Sequence, residues 1–184
     1  MQFNEHNDLE GLHAFLSPSG YHWVNYEDKK LVERYANYRA ALKGTELHEL
    51  ASMLIKNKIK TIDHRKAFNQ FVNDSIGFRM ESEVPLYYSA NCFGTADAIS
   101  FRDNKLMIFD LKTGKTKASY SQLDIYAALF CLEYNYDPFH IDIEERIYQN
   151  NGFTINIPAP ELIDRIMKKI IESDLIIEKI KAEE

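Results

Sequence analysis

The chain has 184 residues, 45% of them hydrophobic and 12% aromatic, and a net charge of −6. That fits one globular domain with a sizeable core and excludes an intrinsically disordered chain. The acidic balance excludes a surface coated in positive charge for non-specific DNA binding, but leaves room for a local basic groove.

In chain order, residues 1–24 read as an irregular arm anchored by Phe15, Tyr21 and Trp23, with Ser17-Pro18-Ser19-Gly20 as a turn. Residues 27–42 carry Leu31, Tyr35, Tyr38 and Leu42 at helical spacing. Gly44-Thr45 breaks that helix, and Thr45 can cap a second over 46–58. Asp63 is expected to cap a third helix with Ala67, Phe68, Phe71 and Val72 on its apolar face. After Gly77 the period changes. Residues 80–90, 93–102 and 105–112 read as a three-strand meander, the third apolar on both faces as in a doubly covered strand. Residues 118–134 form a helix with Leu123, Tyr126, Ala127 and Phe130 inward. Residues 139–149 and 152–157 read as a hairpin about Asn150-Asn151-Gly152, and Pro158 and Pro160 open a last helix over about 161–181. The expected fold is α/β, a central mixed sheet flanked by helices, as one domain over 1–184.

Cys92 and Cys131 lack metal-ligand spacing and read as reduced thiols of a cytoplasmic protein. The first residues lack the basic start and apolar stretch of a signal peptide. No apolar run approaches the ~20 residues of a membrane span, so no membrane partner is expected. Part of the acidity lies in the tail: Glu172, Asp174, Glu178, Glu183 and Glu184.

The chemistry is expected at two aspartates. If Asp103-Asn104 is a hairpin turn, residue i faces residue 207 − i. Ile99 then opposes Ile108, Ala98 opposes Phe109, and Asp97 opposes Asp110. Opposed residues hold their Cβ atoms roughly 4.5–5.5 Å apart, where like charges repel. A divalent cation is the simplest compensation. Hard carboxylate oxygens suit Mg2+ or Mn2+, and the Leu111 carbonyl is placed to be a further ligand. Lys112 projects to the same face as Asp110, where an ammonium can orient or deprotonate an attacking water and stabilise developing charge. Gln122 and Tyr126, at i and i+4, share one helix face. Without a second carboxylate, an Asp-x-Lys triplet would read as a surface ion pair.

GTADAI (94–99), IFDLKTGK (108–115) and QLDIY (122–126), preceded by Gly44-Thr45-Glu46-Leu47-His48, resemble the RecB-like branch of the PD-(D/E)XK nuclease superfamily over about residues 44–130. The resemblance implies a restriction-endonuclease-like core and metal-dependent hydrolysis of DNA. It matches Asp97 and Asp110 to the metal carboxylates, Lys112 to the catalytic lysine, His48 to a further metal ligand, and Gln122 and Tyr126 to positions that support the site and contact substrate. Glu46 or Glu49 could replace His48 if the helix register differs. An imidazole ligand shifts preference toward Mn2+. Glu83 reads as a supporting acid or a solvated strand residue.

Lys115 and Lys117 are candidates for phosphate contacts or a solvated loop, and IKNKIKTIDHRK (55–66) for a DNA path or a solvated helix end. Tyr21, His22, Trp23 and Tyr26 could stack on bases or cover the core. The last helix carries Leu162, Ile163, Ile166, Ile170, Leu175, Ile177 and Ile180, for the core or for a subunit contact. The expected function is a phage-type exonuclease processing DNA ends in recombination or repair, with DNA as partner and a homo-oligomer or recombination partner protein as a further possibility. The alternative is a non-catalytic module that keeps the fold to hold DNA or protein.

Overall fold

The computed structural model describes residues 14–63, 65–114 and 116–183. Residues 1–13 of the expected arm, His64 of the basic run, Lys115 and Glu184 lie outside the described residues. The chain divides into two compact units, Met1–Thr45 and Glu46–Glu184.

In the first unit, the arm contains a 3-10 helix at Pro18–Asn25, with proline at its start. Trp23 Nε1 donates to the Ser17 carbonyl at 3.0 Å and closes it. None of its residues is buried, so Tyr21 and His22 do not cover a core. Phe15 does pack, its ring centroid 5.1 Å from Tyr35 and 5.2 Å from Tyr38.

Those tyrosines lie on helix α1, Asp28–Lys56. The expected break at Gly44-Thr45 is absent. An interior glycine costs only about 1 kcal/mol relative to alanine. Thr45 Oγ1 bonds back to the Ala41 carbonyl at 3.4 Å, so its hydroxyl is satisfied within the helix rather than at a cap.

The second unit is built on a five-stranded mixed sheet flanked by helices, the expected fold class. Strands β1 (Glu81–Ser89), β2 (Cys92–Arg102) and β3 (Lys105–Lys112) form the meander. Helix α3 (Ser121–Tyr134) then crosses to β4 (Asp142–Gln149), and β5 (Gly152–Asn156) returns as a hairpin. The spatial order is β1-β2-β3-β4-β5, antiparallel except for the β3–β4 pair. Asp103 and Asn104 adopt φ of 49° and 63°. Left-handed backbone at both central residues is what a tight two-residue hairpin turn needs.

Each face of the sheet carries a core. On one, Leu106, Ile108, Leu123, Ala127 and Ile163 pack α3 and helix α4 (Pro160–Glu183) against the sheet. On the other, Ala51, Phe71, Val72, Phe109 and Tyr148 pack the end of α1 and helix α2 (Ala67–Gly77). Residues 106–111 of β3 are all buried, as its apolar run requires.

Several boundaries move. Lys66, not Asp63, precedes α2, and the Asp63 carboxylate accepts the Arg65 amide at 3.0 Å in a local turn. Helix α3 starts at Ser121 rather than 118, and β4 at Asp142 rather than 139 because Asp137 takes the Phe139 amide into a turn. In α4, Ile163, Ile166 and Ile170 belong to the core. Leu175, Ile177 and Ile180 remain 57%, 38% and 54% exposed, so the stripe outruns the surface it covers.

Two features of β1 matter below. It is an edge strand, and it carries Pro85, which is tolerated only where no ladder donor is needed. The next outward amide, that of Tyr87, donates to the Glu133 carboxylate of α3 at 2.8 Å.

Candidate active site

The β2–β3 register follows the hairpin arithmetic from Arg102↔Lys105 through Ala98↔Phe109. The ladder stops there, and Asp97 and Asp110 sit one step beyond it. Asp97 Oδ2 accepts the Leu111 amide at 2.8 Å. Leu111 thus meets the site through its N–H, which fixes the Asp97 carboxylate against β3.

On the other side of β2, Ser82↔Ala98 and Val84↔Ala96 are paired, and the two residues between them, Glu83 and Asp97, are left out. Glu83 has φ of 54°, left-handed backbone that costs a side-chain-bearing residue about 1–2 kcal/mol. The consequence is visible in the cores. Ala96 and Ala98 are two apart and would share a face in a regular strand, yet Ala96 lies in the α3 core and Ala98 in the α2 core. The paired irregularity resets the alternation and re-aims one acid from each strand, the use to which strand irregularities are put beside functional sites.

Helix α1 supplies the imidazole. Ala51 and Ile55 anchor its end in the α2 core, and His48, one turn earlier, reaches Asp97. Its Nδ1 lies 3.2 Å from Asp97 Oδ1. One ligand atom from each of His48, Glu83 and Asp97 falls within 4.8 Å of the others. Two trans ligands of a hard ion with ~2.1 Å bonds stand about 4.2 Å apart, so this group needs only a small contraction to hold one. Glu46 and Glu49, the possible substitutes for His48, are exposed and lie outside the group.

Asp110 completes the arrangement from β3. It is buried. Its Oδ1 accepts Lys112 Nζ at 2.9 Å, whereas Oδ2 is buried with no hydrogen-bond donor. Burial first, and the Asp97 charge second, push the Asp110 carboxyl above its ordinary range, against the pull of Lys112 and His48. Glu83 is raised by partial burial and then by Asp97. His48 is raised chiefly by its hydrogen bond to Asp97, against the opposing effect of burial. The imidazole of His48 and the carboxylates of Glu83 and Asp97 could hold a small divalent ion, with the orphaned Asp110 oxygen outside that group. Bound there, it would displace the His48 proton.

Lys112 is held by a directed chain. The Tyr126 hydroxyl donates to the Thr95 carbonyl at 2.7 Å. That uses its one hydrogen, so its oxygen must accept from Gln122 Nε2, at 3.0 Å. The amide orientation follows, and Gln122 Oε1 faces Lys112 Nζ at 2.8 Å. With Asp110 as the second acceptor, two of the three ammonium hydrogens are used. Gly94 makes room for this chain, since a Cβ there would stand 3.0 Å from Tyr126 Cε1.

The structure thus brings together His48, Asp97, Asp110, Lys112, Gln122 and Tyr126, and adds Glu83 to the ligand group. Lys56 is near enough to lower the Glu83 pKa slightly. Lys117 is exposed beside a cavity at the β4–β5 turn, with Gln149 and Asn150. No family model matches the chain, and no curated protein matches it. Among the described residues, no helix is long and apolar enough to cross a membrane.

Proposed function

We propose that the protein is a divalent-metal-dependent DNA nuclease that hydrolyses phosphodiester bonds, processing DNA ends as an exonuclease in recombination or repair. The observation that carries this reading is the buried Asp110: one oxygen on a tethered lysine, the other without a donor beside the His48–Glu83–Asp97 group. The resemblance of the motifs around these residues to RecB-like PD-(D/E)XK nucleases supports the same assignment.

His48, Glu83, Asp97 and Asp110 would hold Mg2+ or Mn2+. The ion would supply Lewis acidity at a phosphoryl oxygen and lower the pKa of a bound water. Lys112 keeps one ammonium hydrogen for the substrate, and its two partners aim it. In that place it orients the attacking water and steadies negative charge as it develops on the phosphate. Gln122 and Tyr126 position Lys112, fixed in turn by the Thr95 carbonyl.

The test is degradation of end-labelled linear and circular DNA, single- and double-stranded, with Mn2+, Mg2+ or EDTA, comparing wild type with Lys112→Ala. Metal-dependent loss of linear DNA only, abolished in Lys112→Ala, is expected. Nicked circles would make the enzyme an endonuclease. No cleavage by pure wild type with either ion would replace this reading with a non-catalytic module that binds DNA or protein.

A further inference from the structure

The first unit carries a surface that the candidate site does not use. Leu31, Tyr35, Tyr38 and Leu42 recur along α1 at spacings of four, three and four, making one stripe. Tyr35, Tyr38 and Leu42 are 47%, 36% and 46% exposed. Phe15, Leu16, Leu31, Val32 and Tyr35 line an apolar concavity of about 670 Å3, within the ~300–1,000 Å3 of small-molecule sites. Arg34 borders the stripe on one side and Arg39 on the other; both are exposed, and neither is ion-paired among the described residues.

The 4-3-4 spacing would suit a second copy of the helix, but the charges do not favour it. In a parallel pair Arg34 faces the partner's Arg39 position, and in an antiparallel pair with the stripe in register Arg34 faces Ala41 and Arg39 faces Val32 of the other copy, so neither arrangement gives the arginines a counter-charge. Like charges beside the parallel seam set helices against pairing. Residues 14–45 contain five Lys or Arg and three Asp or Glu, a local positive excess, although Glu5, Asp8 and Glu10 bring the unit as a whole to five against six. The surface therefore matches an anionic partner with flat apolar groups, and its exposed rings favour bases over the aliphatic knobs of an acidic helix.

We infer that single-stranded nucleic acid docks on this stripe, its bases stacked on Tyr35 and Tyr38 and its phosphates on Arg34 and Arg39. The choice of nucleic acid over another polyanion rests on the nuclease reading; the binding itself needs no cleavage.

The experiment is fluorescence anisotropy of a dye-labelled oligothymidylate titrated with the full chain in EDTA, over a range of salt. Tyr35→Ser/Tyr38→Ser is expected to weaken binding about tenfold per ring, and Tyr35→Phe/Tyr38→Phe to restore it. Arg34→Gln/Arg39→Gln should flatten the salt slope by roughly 1.4, at about 0.7 per lost phosphate contact on a single strand. Unchanged affinity in the serine variant, with unchanged circular dichroism, would overturn the proposal. So would failure of wild type to bind the oligonucleotide, or a dimer in solution that dissociates in the serine variant. The two readings separate cleanly. Wild type that binds in EDTA yet never cleaves with Mn2+ keeps this surface and removes the nuclease; cleavage with unchanged binding in the serine variant does the reverse.

Discussion

At the scale of single residues, Asp110 carries an uncompensated cost in the metal-free protein. A buried acceptor without a donor costs about 1–3 kcal/mol, and the raised pKa has the same origin in burial and in Asp97. Asp110→Asn removes the charge but keeps the shape. In EDTA its urea midpoint should match or exceed wild type, and Mn2+ should raise the midpoint of wild type but not that of the variant. Unfolding of Asp110→Asn would make Asp110 a structural residue. Asp97, Asp110 and Lys112 were legible in the sequence because a two-residue turn fixes register by counting. Glu83 could only be left open. Its place depends on a left-handed backbone in mid-strand, which period-two alternation does not encode.

At the scale of elements, the α3–β2 contact governs the lysine. The Tyr126 ring lies over Gly94, and its hydroxyl ends the chain that aims Lys112. Gly94→Val is expected to push the ring away and loosen Gln122. Misplacement of a catalytic group by about 1 Å can cost 100-fold in rate, so kcat should fall by one to two orders of magnitude with little change in Tm. A variant with normal kcat would show that Gln122 and Tyr126 do not position Lys112. The i, i+4 relation of those two residues was readable from sequence, because α3 is regular over 121–134. The continuity of α1 was not. A single interior glycine weakens a helix by only about 1 kcal/mol, so it does not mark a break by itself.

At the scale of the molecule, the sheet holds a second acid pair away from the site, between α3 and β4. Asn156 Nδ2 donates to Glu145 Oε2 at 2.7 Å, but Glu145 Oε1 and Asp124 Oδ1 are buried with no other donor. A proton shared between the two carboxyls satisfies both. Burial first, and Asp124 next, push the Glu145 carboxyl up to about 8. The folded state therefore binds more protons than the unfolded one from the ordinary carboxyl range up to about 8, and stability falls as pH rises through that window. Glu145→Gln can donate to Asp124 and accept from Asn156 at any pH. Denaturation midpoints between pH 5 and 8.5 should fall less steeply for Glu145→Gln than for wild type; parallel curves would rule out the shared proton. Neither the pair nor the split of the apolar residues into two cores follows from sequence pattern, since both depend on which helix lies over which face.

The β1 margin has a consequence for the protein's colloidal behaviour. Glu83 twists the strand, Pro85 offers no hydrogen, and the Tyr87 hydrogen is already given to Glu133. A foreign strand approaching this side finds no continuous row of donors to zip onto. The opposite margin is β5, only five residues long, and short edges template poorly. Both borders are thus unreceptive to fibril growth, one by chemistry and the other by length. The acid brought to the His48–Asp97 group by an unusual backbone angle also helps keep neighbouring molecules apart.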